Sequence, residues 1–166
     1  MIIRPTRKFK GEKMMFNPDL EIDQVIDNAT LCHIFQCSPQ GGMRRSKKTK
    51  TLVLTTDCVK GIYHDRWIDG VLHYTGMGRV GDQDINYRQN KTLLHAKEEG
   101  IGVFLFKVMV TGRYTYCGKV ELVDKPYSEM QLDMEGNSRL VWIFPIKPVC
   151  DEDIPVPAPG KPRIWF

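Results

Sequence analysis

The chain has 166 residues, of which 42% are hydrophobic, and a formal net charge of +4. That is enough apolar material for one domain with its own core plus short extra segments. The longest apolar run, Val103 to Phe106, is far shorter than the roughly 20 residues that cross a bilayer. With no apolar signal core behind the basic start, the chain reads as a cytoplasmic protein with no membrane role.

The five cysteines, at 32, 37, 58, 117 and 150, are odd in number and form no CxxC pair. They therefore read as reduced thiols. Cys32, His33 and Cys37 fall short of the four ligands a structural zinc site needs, so no metal and no cofactor is expected.

Residues 1–16 carry Arg4, Arg7, Lys8, Lys10 and Lys13 with little periodicity and read as a flexible basic arm. The folded domain is placed at 17–148. Asn17-Pro18-Asp19 predicts a helix start, with a capping Asn and Pro at the first position, running to about Asn28. From Thr51 the pattern changes to short β-branched and aromatic runs: Thr51 to Thr56, Val71 to Thr75, Gly102 to Val110, Tyr114 to Val123 and Arg139 to Ile146. One helix over Asn90 to Gly100 interrupts them, and Thr111-Gly112-Arg113 and Glu135-Gly136-Asn137 read as strand connections. The expected fold is α+β, mostly β: a curved sheet or partly open barrel with one or two flanking helices. Residues 149–166, with an acidic cluster and then Pro155, Pro157, Pro159 and Pro162, read as a proline-rich tail or linker.

Charge is unevenly placed. Arg44, Arg45, Lys47, Lys48 and Lys50 follow one another with no intervening acid, while Asp133, Glu135 and Asp151 to Asp153 crowd the far end. Such a patch is the footprint of a phosphate-binding surface, although a solvated turn gives the same pattern. The four histidines spell no acid–base or metal constellation, and no HExxH, GxSxG or Walker motif is present, so no catalytic residue is assigned. The densest segment is Gly61 to Gly78, where Tyr63, Asp65 and Tyr74 surround a turn and a strand ends in Gly76-Met77-Gly78. Aromatic faces, a carboxylate that accepts from an exocyclic amine, and glycines that let backbone approach a ligand are the parts of a nucleobase pocket. The plainer reading makes the tyrosines core aromatics, Asp65 a turn former and the glycines turn residues.

The Tyr63-His64-Asp65 segment followed by Tyr74-Thr75-Gly76-Met77-Gly78 resembles the SRA family of PUA-like readers of modified cytosine. Gly41 to Ser46, leading into the strand at Thr51, resembles that family's glycine-rich basic loop and strand. The likeness runs from about Cys37 to Pro148 and is nearest the SRA-like domains of bacterial HNH endonucleases that restrict modified DNA. It implies a module that flips 5-methyl- or 5-hydroxymethylcytosine out of duplex DNA, in a bacterial cytoplasm, as part of defence against phage. Tyr63 and Tyr74 would stack on the base, Asp65 (or Asp69) would pair with its amine, and Thr75 and Gly76 would line the pocket. Arg44, Arg45, Ser46, Lys47 and Lys48 would hold phosphates, with Arg79, Arg88 and Lys91 as further backbone contacts. Cleavage would belong to a nuclease domain or partner protein. Two other classes stay open: a stand-alone nuclease or base-processing enzyme, and a PUA-like module for RNA or phosphorothioate DNA.

Overall fold

The computed structural model describes residues 16–59 and 65–149. The basic arm up to Met15, Tyr63 and the tail from Cys150 therefore lie outside the described residues. In chain order the elements are β1 (Val25–Ile26), α1 (Asn28–Phe35), β2 (Met43–Ser46), β3 (Thr51–Asp57), β4 (Arg66–Ile68), β5 (Val71–Thr75), α2 (Gln89–Glu99), β6 (Gly102–Val110), β7 (Arg113–Leu122), β8 (Tyr127–Leu132) and β9 (Ser138–Pro148). The strands form one mixed sheet ordered β2-β3-β6-β7-β9-β5-β4, with β1 added on β7 and β8 on β9. Only β3 and β6 run parallel among these pairings, joined by the crossover through β4, β5 and α2.

β3 and β6 are apolar on both faces, as strands covered on two sides must be. Leu52, Leu54, Val103 and Leu105 point into one core with Leu72, Tyr74, Phe144 and Leu93 of α2. Val53, Phe104 and Phe106 point into a second core with Tyr116 and with Leu31 and Phe35 of α1. Phe16, the last residue of the expected arm, packs on this second core, its ring 5.4 Å from that of Phe35. Opposite the register shift between Leu105 and Phe106, Gly118 has φ +95° and leaves room for Ile22, whose Cδ1 would lie 2.8 Å from an added Cβ.

The helix expected from Asn17 does not form. Asn17 Oδ1 instead accepts the Asp19 amide at 2.9 Å, and Asp19 (φ 57°) and Asp23 (φ 72°) take left-handed backbone. A short polar side chain that bonds its own backbone competes with the helix it was expected to start. Leu20 and Ile22, two residues apart, dip into the second core while Asp23 and Gln24 bond to Tyr116 at 2.8 and 2.9 Å. The helix starts ten residues on, where Asp27 caps the Thr30 amide at 2.7 Å. Hydrogen bonding to Thr30 also holds the Asp27 carboxyl below its ordinary range.

Candidate nucleic-acid interface

The path of the sheet ends in β2–β3 on one side and β5–β4 on the other, and curvature brings these ends together. Among the described residues no ladder joins them. Side chains close the seam instead: the Tyr74 hydroxyl reaches Gly42 O and Thr55 O at 2.9 and 3.1 Å, and Thr56 Oγ1 donates to Asp65 Oδ2 at 2.9 Å. Asp65 Oδ1 accepts the Thr75 amide at 2.7 Å. Peptide groups at the sheet ends are thereby satisfied without sealing the barrel.

A cleft of about 930 Å³ opens at this seam. It is lined by Asp65, Tyr74, Thr75 and Gly76 together with Arg44, Arg45, Arg79 and Arg88. These eight expected site residues, spread over 45 positions of sequence, share one concavity. Ser46, Lys47, Lys48 and Lys91 are not among its lining residues. Ser46 is 2% exposed, and its hydroxyl accepts the Thr49 amide within the β2–β3 turn. Lys47 and Lys48 stand exposed at that turn, and Lys91 is exposed on the first turn of α2.

The residues expected to be a loop from Gly41 to Ser46 are largely strand, since Met43 to Ser46 pair with Thr51 to Leu54. Strand alternation then divides the basic run. Arg44 is 4% exposed and donates to Gly41 O (2.7 Å), Asn28 Oδ1 (2.7 Å) and Tyr114 Oη (3.3 Å), with its guanidinium 5.4 Å above the Tyr114 ring. Arg45, half-buried, donates to Ser46 O and to Thr51 O. Burial pushes the nearby Cys37 thiol up to about 11, while the Arg44 charge acts the other way. Arg79 and Arg88 are the exposed cations of the cleft. Arg88 lies 5.3 Å over the Tyr87 ring and takes φ 44°, ψ −115° immediately before α2.

Tyr74 is 3% exposed, so its ring belongs to the first core as well as to the cleft wall. Thr75 Oγ1 is buried and bonds no group among the described residues. Gly76 is required by space: an added Cβ would lie 2.8 Å from Asn90 Oδ1 and 3.0 Å from the Phe144 ring.

Sequence reasoning missed the side chains that hold this wall. Asn90, fully buried, accepts the Met77 amide at 2.7 Å and donates to Met77 O and Asp84 O at 3.0 Å. Gln83 donates to Gly76 O (2.7 Å) and Gly78 O (3.2 Å) and accepts the Trp142 amide (2.8 Å). Buried Arg139 donates to Gly78 O and Gly81 O. Asn90 carried a local signal only for the start of a helix. Its inward role depends on Gly76 passing close by, which local sequence does not reveal.

One open, curved mixed sheet of this kind matches the sheet of an SRA domain. The chain belongs to the family described as "ScoMcrA-like, SRA domain", whose model matches residues 23–157. Among solved structures, it is similar to "Sulfur binding domain and SRA domain of ScoMcrA complexed with phosphorothioated DNA" at 17% identity and TM-score 0.64, covering 80% of this chain and 40% of that one. It is similar to "Structure of the Type IV phosphorothioation-dependent restriction endonuclease ScoMcrA" at 16% identity and TM-score 0.65, covering 81% of this chain and 28% of that one. It is also similar to "Crystal structure of SUVH5 SRA- hemi methylated CG DNA complex" at 21% identity and TM-score 0.61, covering 93% of this chain and all of that one (100%). The chain thus spans less than half the length of either ScoMcrA structure. No curated protein sequence matches it. Among the described residues no helix is long and apolar enough to cross a membrane, and no three His, Cys, Asp or Glu side chains gather as metal ligands.

Proposed function

We propose that this chain is a reader of modified cytosine in duplex DNA: the seam cleft receives the flipped base, and the arginines around it hold the backbone. The observation that carries the reading is the Asp65 carboxylate, fixed by Thr75 N–H and Thr56 Oγ1 beside Tyr74 in a cleft with four arginines. A fixed carboxylate accepts from the exocyclic amine of cytosine and repels the carbonyl that thymine presents at the same position. Tyr74, tied through its hydroxyl, is a rigid ring face for stacking, and Tyr63 is its partner in this reading. In this reading Thr75 and Gly76, both on the cleft lining, would face the base edge or its C5 substituent.

Phosphate contacts supply affinity and the pocket supplies selectivity. Arg79 and Arg88 are exposed for direct contact, whereas Arg44 contributes charge from within the wall. Lys47, Lys48 and Lys91 serve as outlying backbone contacts. The reading leaves cleavage to a nuclease located elsewhere, in keeping with defence against modified foreign DNA.

The test is competition binding at fixed salt with one duplex carrying cytosine, 5-methylcytosine or 5-hydroxymethylcytosine. A preference for modified duplex that Asp65→Ala and Tyr74→Phe each reduce is expected. Equal affinity for all three overturns the reading. A second reading has its own support in the phosphorothioated DNA that the ScoMcrA structures name. Adding an unmodified-base duplex with one phosphorothioate linkage, and an RNA hairpin, separates recognition of backbone sulfur or RNA from recognition of the base.

A further inference from the structure

We infer that Arg66 and Glu129 form a positioning pair for the Asp65 carboxylate, so that selectivity at the base depends on an ion pair outside the cleft. The inference rests on the proposed role of Asp65 in reading the base.

Asp65 immediately precedes β4, which is three residues long, ends the sheet path and, among the described residues, pairs with β5. So short a ladder is marginal by itself. Arg66 supplements it with a two-pronged fork to Glu129, Nη1 to Oε1 at 2.9 Å and Nη2 to Oε2 at 3.0 Å. Glu129 sits on β8, reached from β4 across β5 and β9, so the fork ties the last strand over two intervening ones. Both side chains are partly shielded, at 40% and 28% exposure, and the bond to Glu129 raises the Arg66 pKa.

The neighbours share the same restraint. His73, directly opposite Arg66 in the β4–β5 register, pairs its Nδ1 with Tyr127 Oη at 2.7 Å, and Arg66 Nη2 also reaches that oxygen at 3.4 Å. Gln131 Nε2 donates to Glu129 Oε1 at 3.0 Å and fixes the carboxylate that receives the fork. None of Arg66, His73, Tyr127, Glu129 or Gln131 lines the cleft. What they fix is the first residue after Asp65. Bidentate geometry matters here because a fork sets direction as well as distance, which a single contact does not.

The experiment compares the full chain with Glu129→Ala, Arg66→Ala, the charge exchange Arg66→Glu with Glu129→Arg, and Asp65→Asn, with folding checked by circular dichroism. The binding readout is the affinity ratio for duplexes with 5-methylcytosine or thymine opposite the same guanine. Both bases carry the C5 methyl group; they differ at N3 and at C4, where the 5-methylcytosine amine would donate a hydrogen bond to Asp65. Each single alanine variant lowers the ratio about tenfold, leaves affinity for unmodified duplex nearly unchanged, and the charge exchange restores part of the loss. A ratio unchanged in both alanine variants but abolished by Asp65→Asn overturns the inference. A second readout needs no DNA: hydrogen exchange at the Thr75 amide, which donates to Asp65, accelerates in Glu129→Ala. If the full chain does not distinguish the two duplexes, the base-reading proposal fails; unchanged Thr75 exchange in Glu129→Ala then rejects the positioning pair separately.

Discussion

Along the Gly76–Gly78 wall of the cleft, Asn90, Gln83 and Arg139 aim buried polar groups at backbone. Along the β2 wall Arg44 is the cation that turns inward, while the lysines that follow it stand in solvent. The first wall is held by polar side chains far apart in the sequence, Gln83, Asn90 and Arg139; the second has a basic run whose members part company. The difference teaches that a charge run predicts a surface only after strand alternation has been applied to it. It also teaches that a glycine-rich stretch becomes a rigid wall only if distant polar side chains replace the missing ladder bonds.

The sharpest way to break this comparison is Asn90→Leu. It strands the Met77 amide and two carbonyls at a fully buried position, and a loss of about 3 kcal/mol by urea unfolding is expected. A loss below about 0.5 kcal/mol, the range of a neutral surface change, would mean that the wall stands without its stitching. Gly76→Ala probes the same contact from the other side, since the new methyl meets Asn90 Oδ1 and Phe144. It should cost about 2 kcal/mol, and combining it with Asn90→Ala should cost less than the sum, because the amide it clashes with is then gone.

The comparison also marks what could be read from sequence. β5 and β6 fall where their β-branched and aromatic runs place them, and α2 lies within one residue of its expected start. β2, β4 and β8 were missed for separable reasons. β2 is Met-Arg-Arg-Ser, with no β-branched residue, and β4 has three residues. β8 turns Met130 and Leu132 outward at 61% and 62% exposure, so its alternation carries no core signal. At the cleft, Asp65, Tyr74, Thr75 and Gly76 were legible as a group because they are close in sequence and match a family pattern. The closure of the seam at Gly42, Thr55 and Thr56 was not, because it depends on how far a nine-stranded sheet curves.

The β2 wall yields a pH test. Burial raises the Cys37 thiol from an ordinary 9.0 to about 11, so the folded chain holds that proton more tightly than the unfolded one. The resulting stability is complete below pH 9 and is lost as pH rises through about 11. The thermal midpoint measured between pH 8 and 11 should therefore fall more steeply for the native chain than for Cys37→Ala. Because Arg44 favours the thiolate, Arg44→Met should shift the Cys37 titration, followed by the pH dependence of iodoacetamide alkylation, to still higher pH.

The smallest effect distinguishes the inner and outer members of the basic run. Lys47 and Lys48 are exposed at the β2–β3 turn, away from the cleft lining, so replacing both with Ala should change unfolding free energy by less than about 0.5 kcal/mol. If they touch phosphates, the slope of log affinity against log salt falls by about one for each contact removed, with the ratio of modified to unmodified binding unchanged. Arg44→Met should do the reverse: its three lost hydrogen bonds cost about 2 kcal/mol of stability, and selectivity falls with the wall they hold. An unchanged salt slope in the double lysine variant would place that turn off the DNA altogether and leave Arg45, Arg79, Arg88 and Lys91 as the cations that set affinity.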